Sequence, residues 1–291
     1  MTQLIAVEFF KLRKRMMTWV VALLLVGLVV LLYSILWSVS GRVTTFGHDA
    51  RFTGEELRRA LFLQTSVPFS LSIVGSFGII LAVVLAAGAV GSEYSWGTVR
   101  LMATASRGRV QLMAAKLIVV CGLVIAGALL GVAVGLVYSS IITFTSGGSN
   151  FDFVTGAFIR DQLESCARTL FVLAPYVTMA FAAAVVGRST LAGVGSAIGF
   201  AFMEPLINGL MRVAGSPWED IPRFLINANV QVVLLQNSLP DVLPHFGPSR
   251  RELADRHLNS PEVAALILGL YVVVFVALAF YAYRKRDITA S

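Results

Sequence analysis

Six long apolar runs, separated by shorter polar or charged stretches, set the pattern of the chain. They fall at about 18–38, 69–90, 111–142, 169–186, 190–209 and 261–283. A helix of about 20 apolar residues crosses a hydrocarbon core about 30 Å thick. Within lipid, a helix also satisfies its own backbone N–H and C=O groups. The pattern therefore predicts an all-α polytopic membrane protein, with six transmembrane helices in a single transmembrane domain over 1–291.

The polar stretches carry their own periodicities. In 2–17, Ile5, Phe9, Leu12 and Met16 recur at helical spacing, with Glu8, Lys11, Lys14 and Arg15 around the other side. This predicts either an interfacial helix or the charged flank of the first span. The first run is longer than the 7–15 residues of a typical signal-peptide core and ends in Tyr33, Trp37 and Ser38 without a clean cleavage pattern, so it is expected to stay as an anchor. Thr53-Gly-Glu-Glu56 is a capping-box pattern and predicts a short surface helix with Glu55, Glu56, Arg58 and Arg59. Pro175 predicts a bend in the fourth span. In 211–260, Ser216-Pro-Trp-Glu219 and Ser249-Arg-Arg-Glu252 are further helix starts, and Val230–Leu235 is apolar but too short to cross. Short helices at, or dipping into, the outer leaflet are expected there. Ser260-Pro-Glu262 starts the sixth span.

Glycines repeat inside two spans. Gly127, Gly131 and Gly135 share one helical face, and Gly193, Gly195 and Gly199 mark another. Small residues at such spacing let helices approach closely, so both faces are expected to pack against other helices.

Composition narrows the function. The chain is 57% hydrophobic and 13% charged, with mean hydropathy +0.81 and net charge +7. The cations cluster at span ends: Lys11, Arg13, Lys14, Arg15, Arg100, Arg107, Arg109, Lys116, Arg188, Arg284, Lys285 and Arg286 fall on the short segments of one side. Only Glu8, Glu93 and Asp287 oppose them there. That asymmetry predicts both termini on the cytoplasmic side, and the plasma membrane is the expected location. It also accounts for the positive charge without nucleic acid. The histidines, His48, His245 and His257, all lie in external loops without metal-ligand spacing. The lysines, Lys11, Lys14, Lys116 and Lys285, end no phosphate-binding G-x-x-x-x-G-K-[ST] loop, and Ser196 lacks a nucleophile elbow. No catalytic, metal or cofactor site is expected in this chain. Cys121 and Cys166 sit at different depths, so no disulfide is expected.

Two polar features break the pattern. Glu204 interrupts the fifth apolar run and Pro205 follows it. A charged group at the bilayer centre costs about 2.5–3.5 kcal/mol on insertion scales. Glu204 and Pro205 thus read either as a pathway or gating element or as a tolerated carboxyl near the outer end of the span. The second feature is 91–116, between the second and third runs, where Glu93, Trp96, Gly97 and Arg100 can share one helical face. A loop that only set topology would need neither Glu nor Trp-Gly-Thr.

Glu93-Tyr-Ser-Trp-Gly-Thr-Val-Arg100, followed by Ser106-Arg107 and Lys116, resembles the pattern of ATP-binding-cassette (ABC) permeases of the second exporter type. Glu8-Phe-Phe-Lys-Leu-Arg13 is similar to that family's N-terminal interfacial helix, and Tyr283-Arg-Lys-Arg-Asp287 to its cytoplasmic tail. Thr104-Ala105 replaces the Pro that many members carry before the Ser-Arg pair. The resemblance implies an export permease subunit without catalytic residues, paired with two P-loop ATPase subunits that bind ATP and Mg. It also implies a second permease, either another copy or a different chain. Glu93, Trp96, Gly97, Thr98, Arg100, Ser106 and Arg107 would form the coupling element. The residues alone leave open an ion-coupled secondary transporter working around Glu204, and a non-transporting anchor or sensor subunit.

Overall fold

The computed structural model describes residues 1–41, 45–46, 52–95, 109–146, 152–216, 218–237 and 259–285. Six of its helices are long and apolar enough to cross a membrane, as the six runs predict. The protein is an all-α, six-span polytopic membrane protein. One small exception is a ladder of two-residue strands, β1 (Thr45–Phe46) antiparallel to β2 (Phe52–Thr53).

The helices follow in chain order. α1 (Thr2–Lys14) stops at Arg15, whose extended backbone turns the chain into α2 (Met16–Ser40), the first span. α3 (Gly54–Ala60) is the expected surface helix. The second span is compound: α4 (Ser66–Ile73) continues through a π-helical turn (Val74–Gly78) into α5 (Ile79–Ser95). The π turn was not legible in the sequence. α6 (Arg109–Thr145) is 37 residues long. At 1.5 Å per residue it reaches about 55 Å and protrudes from the bilayer.

α7 (Gly156–Gly187) corrects the expected start at Thr169. The helix begins about three and a half turns earlier. Thr155 Oγ1 accepts the Phe158 N–H at its N-terminus, and an Arg160–Glu164–Arg168 ladder at i,i+4 spacing supports the extension. Pro175 lies inside a continuous helix. Arg188, in the left-handed region at φ 51°, makes the tight turn into α8 (Thr190–Ala214). A 3-10 turn (Trp218–Phe224) and α9 (Ile226–Leu234) form the non-crossing element expected before the last span. α10 (Pro261–Lys285) is that span, and Ser260 Oγ accepts the Val263 N–H at its start. The Ser249-Arg-Arg-Glu252 helix start lies outside the described residues.

α5 and α7 occupy the centre. Ala82, Ala86, Ala87 and Val90 meet Tyr176, Val177, Ala180, Phe181 and Ala184 in the main core cluster. Alanine dominates the seam because helices in lipid gain by close approach rather than by escape from water. The large side chains of α2, α8 and α10, among them Leu23, Leu206, Leu210, Leu266 and Leu270, face outward. On span-length helices such a surface suits hydrocarbon.

The two glycine faces diverge. A Cβ on Gly135 would collide with Ser70 Oγ, and one on Gly131 would lie 3.1 Å from Val74, while Gly127 only reaches ordinary contact with Leu25. On α8 the expectation needs correction. Gly195 and Gly199 have open space around them, so packing within the chain falls to Gly193, where a Cβ would lie 2.7 Å from the Ala180 carbonyl and from Ala87. Both cysteines are free.

Candidate functional site

One end of the bundle, termed basal here, carries α1, the last turn of α5, the first turns of α6 and Tyr283 near the end of α10. α1 does not lie as the simplest amphipathic pattern suggests. Phe9 is exposed, as is Met16 at the start of α2, and the polar side turns inward: Glu8 is 2% exposed, buried like Leu12. The physical reason lies on the neighbouring helices, which offer a carboxylate and an ammonium at matching depth.

Those groups close a ring of alternating charge. Lys11 Nζ donates to Glu8 Oε1 at 2.7 Å and to Glu93 Oε1 at 2.6 Å. Lys116 Nζ donates to Glu8 Oε2 at 2.8 Å and to Glu93 Oε1 at 2.7 Å. Arg15 lies 3.6 Å from Glu93 Oε1 and is fixed by donating to Ser92 Oγ at 2.7 Å and to the Gly88 carbonyl at 3.2 Å. The side chains of Glu93 and Lys116 are each 5% exposed. Burial alone would raise the Glu8 carboxyl, but the Lys116 charge and the hydrogen bonds from both lysines outweigh it and hold the group below the usual carboxylate range.

Local sequence explains how each member arrives. Glu8 and Lys11 are i,i+3 neighbours on α1. Glu93 ends α5 and Lys116 lies two turns into α6, so the pair brackets the connection between the second and third spans. Gly91 lets the end of α5 press on the start of α8, since a Cβ there would strike the Thr190 backbone. Val90, Tyr94, Leu112, Met113 and Tyr283 line a crevice beside Glu93 and Lys116.

The structure thus brings together Glu8, Lys11, Arg15 and Glu93 of the sequence-derived candidates. Lys14 stays outside the ring, its ammonium 5.4 Å from the Phe10 ring centre. Trp96, Gly97, Thr98, Arg100, Ser106 and Arg107 lie outside the described residues. Ser92 was missed because nothing in its spacing marks it as a partner of Arg15.

At the other end, Glu204 is fully buried on α8. Its Oε1 accepts the backbone N–H of Asn227 in the first turn of α9. The residue at the N-cap of α9 is Leu225, which has no side-chain oxygen. Glu204 therefore supplies across the chain what the local sequence lacks, a negative group at a helix N-terminus. Amides bind the rest of the element. Asn229 Nδ2 donates to the Arg223 and Leu225 carbonyls at 2.9 and 2.7 Å, and Asn259 Nδ2 donates to the Arg223 carbonyl at 2.6 Å and to Asn229 Oδ1 at 2.9 Å. Asn237 Nδ2 reaches Thr169 Oγ1 of α7 at 3.2 Å. Pro205 follows Glu204 without breaking α8.

The sequence profile of a family described as a protein of unknown function (DUF2705) matches residues 61–289. The chain belongs to that family. The matched part holds Glu93, Lys116 and Glu204, whereas Glu8, Lys11 and Arg15 precede it. The chain is also similar to the Uncharacterized protein YhcI of Bacillus subtilis (strain 168), 24% identical over 221 residues. That similarity covers 72% of this chain and 64% of the relative, so the chain spans less than two thirds of the curated protein it matches. Among the described residues no group of three or more His, Cys, Asp and Glu could hold a metal ion.

Proposed function

We propose that this chain is the membrane-spanning permease subunit of an ABC exporter of the second type, moving substrate outward with energy from separate ATPase subunits. The observation that carries the reading is the buried ring at the basal end. Glu93 and Lys116 stand on either side of 96–108, the segment whose residues resemble the family's coupling element. Both are tied to α1 by Glu8 and Lys11.

In this reading the basal end is cytoplasmic, as the distribution of cations expects. A force on 96–108 from a partner ATPase would meet a rigid support. Four alternating charges, of which Glu8, Glu93 and Lys116 are almost wholly excluded from water, resist separation because a break leaves an uncompensated buried charge. The displacement would then pass into α5, at the centre of the bundle, and into α6. Coupling of this kind requires a two-state element whose populations nucleotide can bias. Two ATPase subunits and a second permease, identical or different, complete the assembly. ATP and Mg would reside on the ATPases, and this chain would do no chemistry of its own.

Co-purification from native-host membranes in mild detergent tests the reading. A P-loop ATPase should accompany the chain stoichiometrically and be lost when Trp96 and Arg100 are both replaced by alanine. Isolation of the chain without an ATPase at every detergent strength would refute it. Reconstituted with that ATPase, Glu93→Ala should still insert but hydrolyse ATP without transport.

A further inference from the structure

Two buried polar atoms that lack a partner among the described residues sit one turn apart on α8, Glu204 Oε2 and Asn208 Oδ1. Residues four apart share a helix face. Both atoms are acceptors, and an ionised carboxylate has no proton to offer. Pro205, between them in sequence, has no N–H to offer the Ala201 carbonyl one turn earlier. Glu204 Oε1 is already used by the Asn227 N–H. The Ala228 N–H also faces the carboxyl, yet Glu204 Oε2 and Asn208 Oδ1 still receive no hydrogen bond among the described residues.

No described cation pairs with Glu204. Among the described residues, the titratable side chains that feel its charge are Tyr176 of α7 and Tyr271 of α10. The Tyr271 hydroxyl is engaged, donating to the Phe224 carbonyl at 3.2 Å. On the 218–224 turn, Asp220 and Arg223 face each other at 3.5 Å. α9 has no titratable side chain, and Glu93 and Tyr94 of α5 lie at the basal end.

We propose that Glu204 is a proton-binding site, carrying a proton on Oε2 that it donates to Asn208 Oδ1 while Oε1 keeps the Asn227 N–H. One proton then satisfies two buried oxygens. A hard metal cation would take about six oxygen ligands, more than this corner supplies. The site lies about 21 Å along α8 from its start at Thr190, well inside a span. Its occupancy bears on α9. The proton-free carboxylate is the form that the N-terminus of α9 binds more tightly. Release of the proton therefore seats α9 more firmly against α8, and uptake loosens it. Glu204→Gln copies the protonated form, since an amide N–H replaces the O–H toward Asn208. This inference goes beyond the exporter reading and does not depend on it.

Infrared difference spectroscopy on the purified full chain in lipid vesicles tests the proposal. The wild type, compared with Glu204→Gln, is expected to show a protonated-carboxyl band that disappears as pH rises and does not change when sodium or potassium replaces choline. Absence of that band at every pH where the protein stays folded overturns the proposal. A band removed by sodium or potassium at constant pH overturns it in favour of an alkali-ion site. Asn208→Ala checks the geometry. Loss of an acceptor for the Glu204 proton destabilises the neutral form and lowers the titration midpoint by roughly half to one pH unit. A raised midpoint would mean that Asn208 donates to an ionised Glu204 through a reversed amide, and would also overturn the proposal. Asn208→Ala retains Glu204, so it gives a readout even if Glu204→Gln fails to fold.

Discussion

Replacing Glu93 by glutamine removes one carboxylate from the basal ring and leaves Lys11 and Lys116 sharing Glu8. Lys116 cannot escape to water, because its side chain is only 5% exposed, whereas Lys11, at 22%, retains partial access. Removing one partner of a buried ion pair costs about 3–5 kcal/mol. The partial exposure of Lys11 places the expected cost near the low end, about 3 kcal/mol. At about 2–4 °C per kcal/mol for a chain of a few hundred residues, the unfolding midpoint should fall by roughly 6–12 °C. Intrinsic tryptophan fluorescence during heating in one fixed detergent would follow it. The informative variant is the double one, Glu93→Gln with Lys116→Met. It removes the stranded ammonium and returns apolar volume, so it should be more stable than the sum of the single losses by about 1–3 kcal/mol. Additivity within about 0.5 kcal/mol would show that the two side chains do not share a buried network, and the reasoning from the ring would fall.

Three further outcomes follow from particular contacts. Glu8 is held below the usual carboxylate range, so the unfolded chain binds its proton more readily; the stabilisation is present above about pH 4.3 and is lost as pH falls through the lower, folded value. A midpoint-versus-pH series should therefore decline more steeply in acid for the wild type than for Glu8→Gln. Gly135→Ala should cost about 1–3 kcal/mol by driving a methyl group into Ser70, while Gly195→Ala, with open space around it, should change stability by less than about 0.5 kcal/mol; equal thermal shifts would contradict the packing. Asn229→Ala removes the side-chain donor to the Arg223 and Leu225 carbonyls and the oxygen that accepts from Asn259 Nδ2, and should cost about 1–3 kcal/mol, with faster hydrogen exchange over α9; unchanged exchange would show that the amide network does not hold that element.

Much of the fold is legible in the linear pattern because each span obeys a local rule. A helix in lipid must be long, apolar and self-satisfied in its backbone, so the six runs map onto six helices. The start of the last span at Ser260-Pro261 could likewise be read from a few adjacent residues. The errors came where polar residues continue a helix beyond the membrane. The Arg160–Glu164–Arg168 ladder extends α7 well before Thr169, since i,i+4 pairs support a helix that hydropathy does not mark.

The candidate site divides along the same physical line. The linear pattern carries the spans, the asymmetry of cations, Glu8 and Glu93 as rare acids on the cation-rich side, and Glu204 as a carboxyl inside an apolar run. What those charges meet depends on how the helices pack. Lys116 joins Glu8 across 108 positions and Glu93 across 23, and no periodicity along one helix carries that pairing. Glu204 reaches the first turn of α9, 23 positions away, where the local N-cap has nothing to offer. The glycine faces of α6 and α8 look alike as text, yet Gly131 and Gly135 meet neighbours while Gly195 and Gly199 meet none within the chain. Spacing places residues on a common face; the packing of other helices decides whether that face meets protein, and the energy of a buried charge depends on the partner it finds there.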